Sequence, residues 1–248
     1  MFGLFFVLTQ YLQFVLGFSP FQAGLATLPL AFMLVIFAPR SARFVVRFGQ
    51  ARVQAFGLTL VAIGLLVTAS LTPTSSYAVV ALGLVIMGIG MGCTTAPATN
   101  AIVSSVPLAK SGVGSAVNDT TREVGGALGI AVIGSLVVSA YRSTMASQVA
   151  NLPAQVAGQA RDSVGGAFTA SKSLGAGGAQ LAADAKLAFT DAMGSALVVA
   201  AIVALICAGI VLVYFPRTPA PTPGSPNEAV DAVAPIASDD AVDAVDPA

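Results

Sequence analysis

Histidine is absent from all 248 residues, and charge is scarce, with Asp, Glu, Lys and Arg making up 9% of the chain against about 25% in soluble domains. Without histidine there is no Ser-His or Cys-His pair, no HExxH zinc site and no imidazole proton shuttle. The two cysteines, Cys93 and Cys207, each lie inside an apolar run, where a free thiol behaves as a small hydrophobe. No catalytic residue and no metal ligand is therefore expected, and only chemistry run by carboxylates is left to an enzyme. Dense basic stripes are missing too, which argues against a nucleic-acid partner.

What fills the chain instead is apolar, at 56% hydrophobic residues. Met1 to Pro39 carry no charge at all, and later stretches run for nearly twenty residues without one, the length a helix needs to cross ~30 Å of hydrocarbon. The net charge of zero is a cancellation: residues 1 to 217 hold eleven basic and five acidic groups, and residues 218 to 248 hold six acidic and no basic ones. The chain opens on Met-Phe-Gly-Leu-Phe-Phe-Val, without the basic flank of a signal peptide. We therefore expect a start inside a membrane helix and a truncated or split reading frame.

The expected fold is an all-α integral membrane bundle of six transmembrane helices, at about 1–16, 20–39, 53–71, 77–103, 112–141 and 191–215. Ser19-Pro20-Phe21-Gln22 reads as a capping box opening the second helix, and Pro29 is expected to kink it. Arg40 to Arg52 hold four arginines and read as a cytoplasmic loop by the positive-inside rule. Residues 142–188, rich in Ala, Gly and Ser, read as an extracytoplasmic loop with room for short amphipathic helices. Thr190 is the expected N-cap of the sixth helix, and both termini are expected in the cytoplasm. Residues 218–248, with Ala-Val-Asp-Ala-Val twice repeated, read as a disordered acidic tail.

Three constellations stand out. Gln10, Tyr11 and Gln13 are polar insertions in the first helix that either face a cavity or hydrogen-bond to neighbouring helices. Asn118, Asp119, Arg122 and Glu123 put charge on the fifth, where spacings of three and four let Arg122 pair with Asp119. Charge at mid-bilayer costs roughly 2.5–3.5 kcal/mol and marks function, so membrane depth decides whether this cluster couples transport to protons or gates from the interface. Gly88, Gly92 and Ala96, and separately Gly125 and Gly129, are small residues at four-residue spacing, suited to close helix approach.

With these residues read, the chain resembles the C-terminal bundle of the drug:proton antiporter-2 family, the fourteen-helix multidrug efflux branch of the major facilitator superfamily. The likeness rests on Leu8-Thr9-Gln10-Tyr11-Leu12-Gln13-Phe14-Val15-Leu16-Gly17-Phe18-Ser19-Pro20, on Gly88-Ile89-Gly90-Met91-Gly92 with Ala96-Pro97, and above all on Gly112 to Gly129. Arg43, Arg47-Phe48-Gly49 and Arg52 resemble the family's cytoplasmic gating motif, although Val46 stands where an acidic residue is usual. The resemblance implies two bundles rocking about a central cavity, and inward proton movement exchanged for outward movement of a hydrophobic or cationic compound. It implies no cofactor, a proton gradient as energy source, a cell-membrane location, and an N-terminal bundle or a second copy as partner. The alternatives are a non-transporting remnant or homodimeric membrane protein, and, more remotely, a membrane hydrolase using Asp119 and Glu123.

Overall fold

A computed structural model describes residues 1–107 and 110–215; the acidic tail expected at 218–248 lies outside the described residues. The described chain is helical: α1 (Phe2–Gln10) continues as a π-helical turn (Tyr11–Val15), followed by α2 (Pro20–Ala26), α3 (Leu28–Phe48), α4 (Gln50–Ala69), α5 (Tyr77–Ser104), α6 (Ser111–Gln148), α7 (Ala154–Asp162), α8 (Val164–Ser173) and α9 (Gly178–Tyr214). Five segments are long and apolar enough to span a bilayer: α2 with α3, then α4, α5, α6 and α9. The first segment, Phe2–Val15, is apolar but shorter.

Local chemistry explains several boundaries. Gly17 takes a positive φ of 76° and lets the chain turn after the first segment. Ser19 Oγ then accepts from the Gln22 amide at 3.2 Å, while Gln22 Oε1 accepts from the Ser19 amide at 2.9 Å. With Pro20 at the first helical position, this is the expected capping box.

Other boundaries differ from the sequence reading. Pro29 sits in the first turn of α3, just past a break at Thr27 that divides the span Pro20–Phe48, so the second helix is interrupted in the turn before this proline. The arginine segment is not a loop. Arg40 to Phe48 continue α3 to Gly49, whose φ of 84° breaks the helix, and α4 starts at Gln50, not Val53. The residues of that segment are adequate helix formers, and charge alone does not unwind a helix that has reached the headgroups. At the other end, residues 142–188 hold the last turns of α6, the helices α7 and α8, and the first turns of α9. Thr190 lies inside α9, its hydroxyl donating to the Lys186 carbonyl at 2.7 Å.

α5 is central, packed on α3 by one face and on α4 by the other; α4 also packs on α9, α9 on α6, and α6 on α1. The α4–α5 contact is a reciprocal glycine seam. A Cβ on Gly57 would lie 2.6 Å from the Gly90 carbonyl oxygen, one on Gly90 would lie 2.5 Å from that of Gly57, and one on Gly64 would lie 2.8 Å from that of Gly83. On the α3 side, a Cβ on Gly88 would meet the Leu30 carbonyl at 2.5 Å, and one on Gly92 the Ala38 amide at 2.9 Å. Between helices that share lipid as solvent, such backbone approach supplies the packing that hydrophobic burial does not.

Beyond one end of the bundle, α7 and α8 form a cap with its own apolar interior of Ala160, Val164, Ala167 and Ala170, joined to Met145, Leu181 and Ala185. Tyrosines staple this end: Tyr11 donates to the Thr72 carbonyl at 2.8 Å, Tyr77 to Ala26 at 3.1 Å and Tyr141 to Ala160 at 2.9 Å. Phe14 of the π-helical turn stacks on Phe168 of α8 with centroids 5.9 Å apart. In contrast, α3, α6 and α9 expose large apolar side chains, including Phe32, Val35, Leu128 and Val213, a distribution suited to lipid or to another bundle.

Candidate transport site

The three polar residues of the first segment sit at the junction between α1 and its π-helical turn, where the Leu16 amide bonds back five residues to the Tyr11 carbonyl at 3.1 Å. Such turns widen a helix and often mark functional positions. Their side chains diverge. Tyr11 is fully buried and committed to the Thr72 carbonyl, so it ties the first segment to the α4–α5 turn and does not face a polar path. Gln10 folds back on the Phe6 carbonyl at 3.3 Å. Gln13 is half-buried, without a side-chain hydrogen bond among the described residues.

On α6, Asn118 faces α5. Its Oδ1 accepts from the Thr99 hydroxyl at 3.5 Å, and its Nδ2 donates to Asp119 Oδ1 at 3.4 Å. Thr99 thus joins the cluster from a second helix, a contact that spacing along one helix does not reveal. Asp119, Arg122 and Glu123 are exposed. The expected Arg122–Asp119 pair is not made; among the described residues the ion pair is Arg142–Asp162, 3.0 Å apart. Spacing permits an i,i+3 pair, but two exposed, mobile side chains gain little from it.

The same pair helps to locate the cluster. Arg142 and Asp162 are 49% and 67% exposed, beside the Tyr141–Ala160 staple, so a charged pair stands next to Tyr141. Along α6, eighteen residues separate Tyr141 from Glu123, about 27 Å at ~1.5 Å per residue. That is nearly the whole hydrocarbon thickness of ~30 Å. Glu123 thus stands one such thickness along α6 from the Arg142–Asp162 pair, and Asp119 one turn further toward the start of the helix.

At that end of the bundle the arginine segment brackets a helix break. Arg43 and Arg47 are exposed on the last turns of α3, Gly49 turns the chain, and Arg52 is exposed in the first turn of α4. The Arg47 guanidinium lies 5.3 Å from the Phe48 ring centroid. Gln50 Nε2 donates to the Pro97 carbonyl at 2.9 Å, tying the start of α4 to α5. A cleft of about 530 Å³ opens here, with Pro39, Ser41, Gln50, Pro97 and Asn100 in its walls. Gln50 was missed from sequence; its place directly after a glycine break and before a helix was the available signal.

The proposed packing glycines separate into two classes. Gly88 and Gly92 are filled by α3, as described above. Gly125 and Gly129 lie with nothing within 4 Å of where a Cβ would stand, although the Gly129 carbonyl abuts α1, 2.6 Å from where a Cβ on Gly3 would lie. The glycines of the α4–α5 seam, Gly57, Gly64, Gly83 and Gly90, were not singled out from sequence.

Comparison with known proteins accords with this geometry. The chain is 35% identical over 216 residues to the multidrug efflux pump LfrA of Mycolicibacterium smegmatis, covering 87% of this chain and 43% of that protein. It is 34% identical over 233 residues to the tetracenomycin C resistance and export protein of Streptomyces glaucescens, covering 91% and 43%. With the multidrug resistance protein Stp of Mycobacterium tuberculosis, 144 residues match at 32% identity, 58% of this chain and 27% of that protein. The chain thus spans less than half the length of these curated relatives. The sequence profile of the Major Facilitator Superfamily matches residues 1–130, and the chain, a multi-pass membrane protein whose described elements are all helices, belongs to that superfamily.

Proposed function

We propose that this chain is one half of a drug exporter, moving hydrophobic or cationic compounds outward against an inward proton gradient, in partnership with an amino-terminal bundle. The observation that carries this reading is the open side of α6. It presents Gly125 and Gly129, where a Cβ would meet nothing within 4 Å, and on the same face Arg122, in no ion pair among the described residues, and exposed Leu128. A helix face with close-approach positions is suited to a neighbouring helix bundle. The relatives' greater length, and their names as export and efflux proteins, support the same reading. No covalent chemistry enters, and the work is transport.

The end that bears the arginines faces the cytoplasm in this reading, as the positive-inside rule favours, and both ends of the described chain lie there. Asp119 and Glu123 then stand at the cytoplasmic mouth. Their role is gating: Asp119, held by Asn118 and through it by Thr99, senses the relative position of α5 and α6 as the bundle rocks. A gate and a coupling carboxylate separate in one experiment, comparing Asp119→Asn with the parent in proton-driven efflux and in gradient-free substrate exchange, with the amino-terminal bundle co-expressed. A gate slows both processes by a similar factor. Loss of driven efflux with exchange intact would assign Asp119 to proton coupling instead.

A further inference from the structure

The first acidic residue in the chain is Asp119, so the four arginines at positions 40, 43, 47 and 52 have no acidic neighbour anywhere along α1 to α5. Among the described residues the acids at their end of the bundle are Asp119 and Glu123, and neither pairs with them: the ion pair among those residues is Arg142–Asp162. Arg40, Arg43 and Arg47 follow one another by three and four residues, which places them along a single stripe of α3. All three are exposed. The buried face of α3 lies elsewhere, at Leu30 and Ser41, turned to α5. Arg47 rests on the Phe48 ring, and Arg40 bonds the Ile36 carbonyl at 2.5 Å, so both are positioned by their own helix and keep donors free.

Depth fits a headgroup layer. From Pro20 to Pro39 twenty uncharged residues precede the first arginine, about 30 Å of helix at ~1.5 Å per residue, one hydrocarbon thickness. Alongside the arginine stripe, Phe32, Val35 and Val46 are 65%, 70% and 69% exposed. Exposed Phe32 in line with cations that make no ion pair among the described residues has the shape of a phospholipid site, with acyl chains beside Phe32 and phosphate oxygens at the guanidinium groups, whose planar fork suits them.

We propose that this face of α3 binds an anionic phospholipid, with Arg40, Arg43 and Arg47 holding the headgroup phosphate. The test uses the whole chain in a neutral detergent, titrated with phosphatidylglycerol or phosphatidylcholine and read by native mass spectrometry as retained lipid. The expected result is preferential retention of phosphatidylglycerol that falls by about fivefold for each arginine neutralised, so that R40Q/R43Q/R47Q abolishes it. R40K/R43K/R47K keeps most of the preference, and R161Q, at the opposite end, keeps all of it. Circular dichroism of each variant confirms that helicity is retained. Equal retention of the two lipids by the parent chain would overturn the proposal, as would an unchanged preference in the glutamine variant. So would loss of the preference whenever an amino-terminal bundle is co-expressed, because that would assign the arginines to contacts between bundles.

Discussion

The Tyr141 hydroxyl donates to the Ala160 carbonyl at 2.9 Å, and both residues are buried. This bond ties α7 to the end of α6, beside the Arg142–Asp162 pair, eighteen residues along α6 from Glu123. Removing the hydroxyl leaves a buried carbonyl without its partner. Tyr141→Phe is expected to destabilise the cap by about 1–3 kcal/mol, seen as faster proteolysis within residues 149–163 while the spanning helices stay protected.

If Glu123 and Asp119 stand at the boundary opposite Tyr141, they are reached by water. In a background with Cys93 and Cys207 replaced by serine, Asp119→Cys is expected to react with a membrane-impermeant maleimide from the side bearing the arginines. A cysteine at Ile133, half-way between the boundaries, stays unreactive. Protection of position 119 from both sides would place the cluster inside the hydrocarbon and revive the coupling reading.

The glycines make a paired prediction. Gly90→Leu forces a side chain into the Gly57 backbone and is expected to cost about 1–3 kcal/mol or more, lowering the thermal unfolding temperature of the chain in detergent. Gly125→Leu and Gly129→Leu meet open space, so the chain alone stays as stable as before. Their effect is expected in co-purification with an amino-terminal bundle, which falls several-fold because the close approach on α6 is blocked.

Gln50 joins the start of α4 to the Pro97 carbonyl. Gln50→Ala is expected to remove about 1 kcal/mol of stabilisation and to raise hydrogen exchange in the first turn of α4, leaving the far end of that helix unchanged.

What the sequence made legible was what is local or compositional. The capping box at Ser19 and Gln22 depends on four consecutive residues, and it formed as read. The membrane character follows from uncharged length, and the superfamily from contiguous motifs. The arginine segment was misread because charge was taken for a loop, whereas a helix ends where a backbone can turn, at Gly49. The Gly57–Gly90 seam was not legible, because helices apolar all round do not announce which face meets which neighbour. Thr99 entered the cluster at Asn118 from another helix, across a contact that one-dimensional spacing does not contain. The Ala-rich cap was legible as short helices in 142–188 but its packing was not, because α7 and α8 bury small side chains against one another and against α6 and α9.

The most direct measurement is efflux of a lipophilic fluorescent cation from energised membrane vesicles carrying this chain alone or together with an amino-terminal bundle of a related exporter. One half of a proton-driven transporter gives efflux only when both bundles are present, and the efflux collapses when a protonophore dissipates the gradient. No efflux in either arrangement, with insertion and association of the two bundles verified, would contradict the transporter reading.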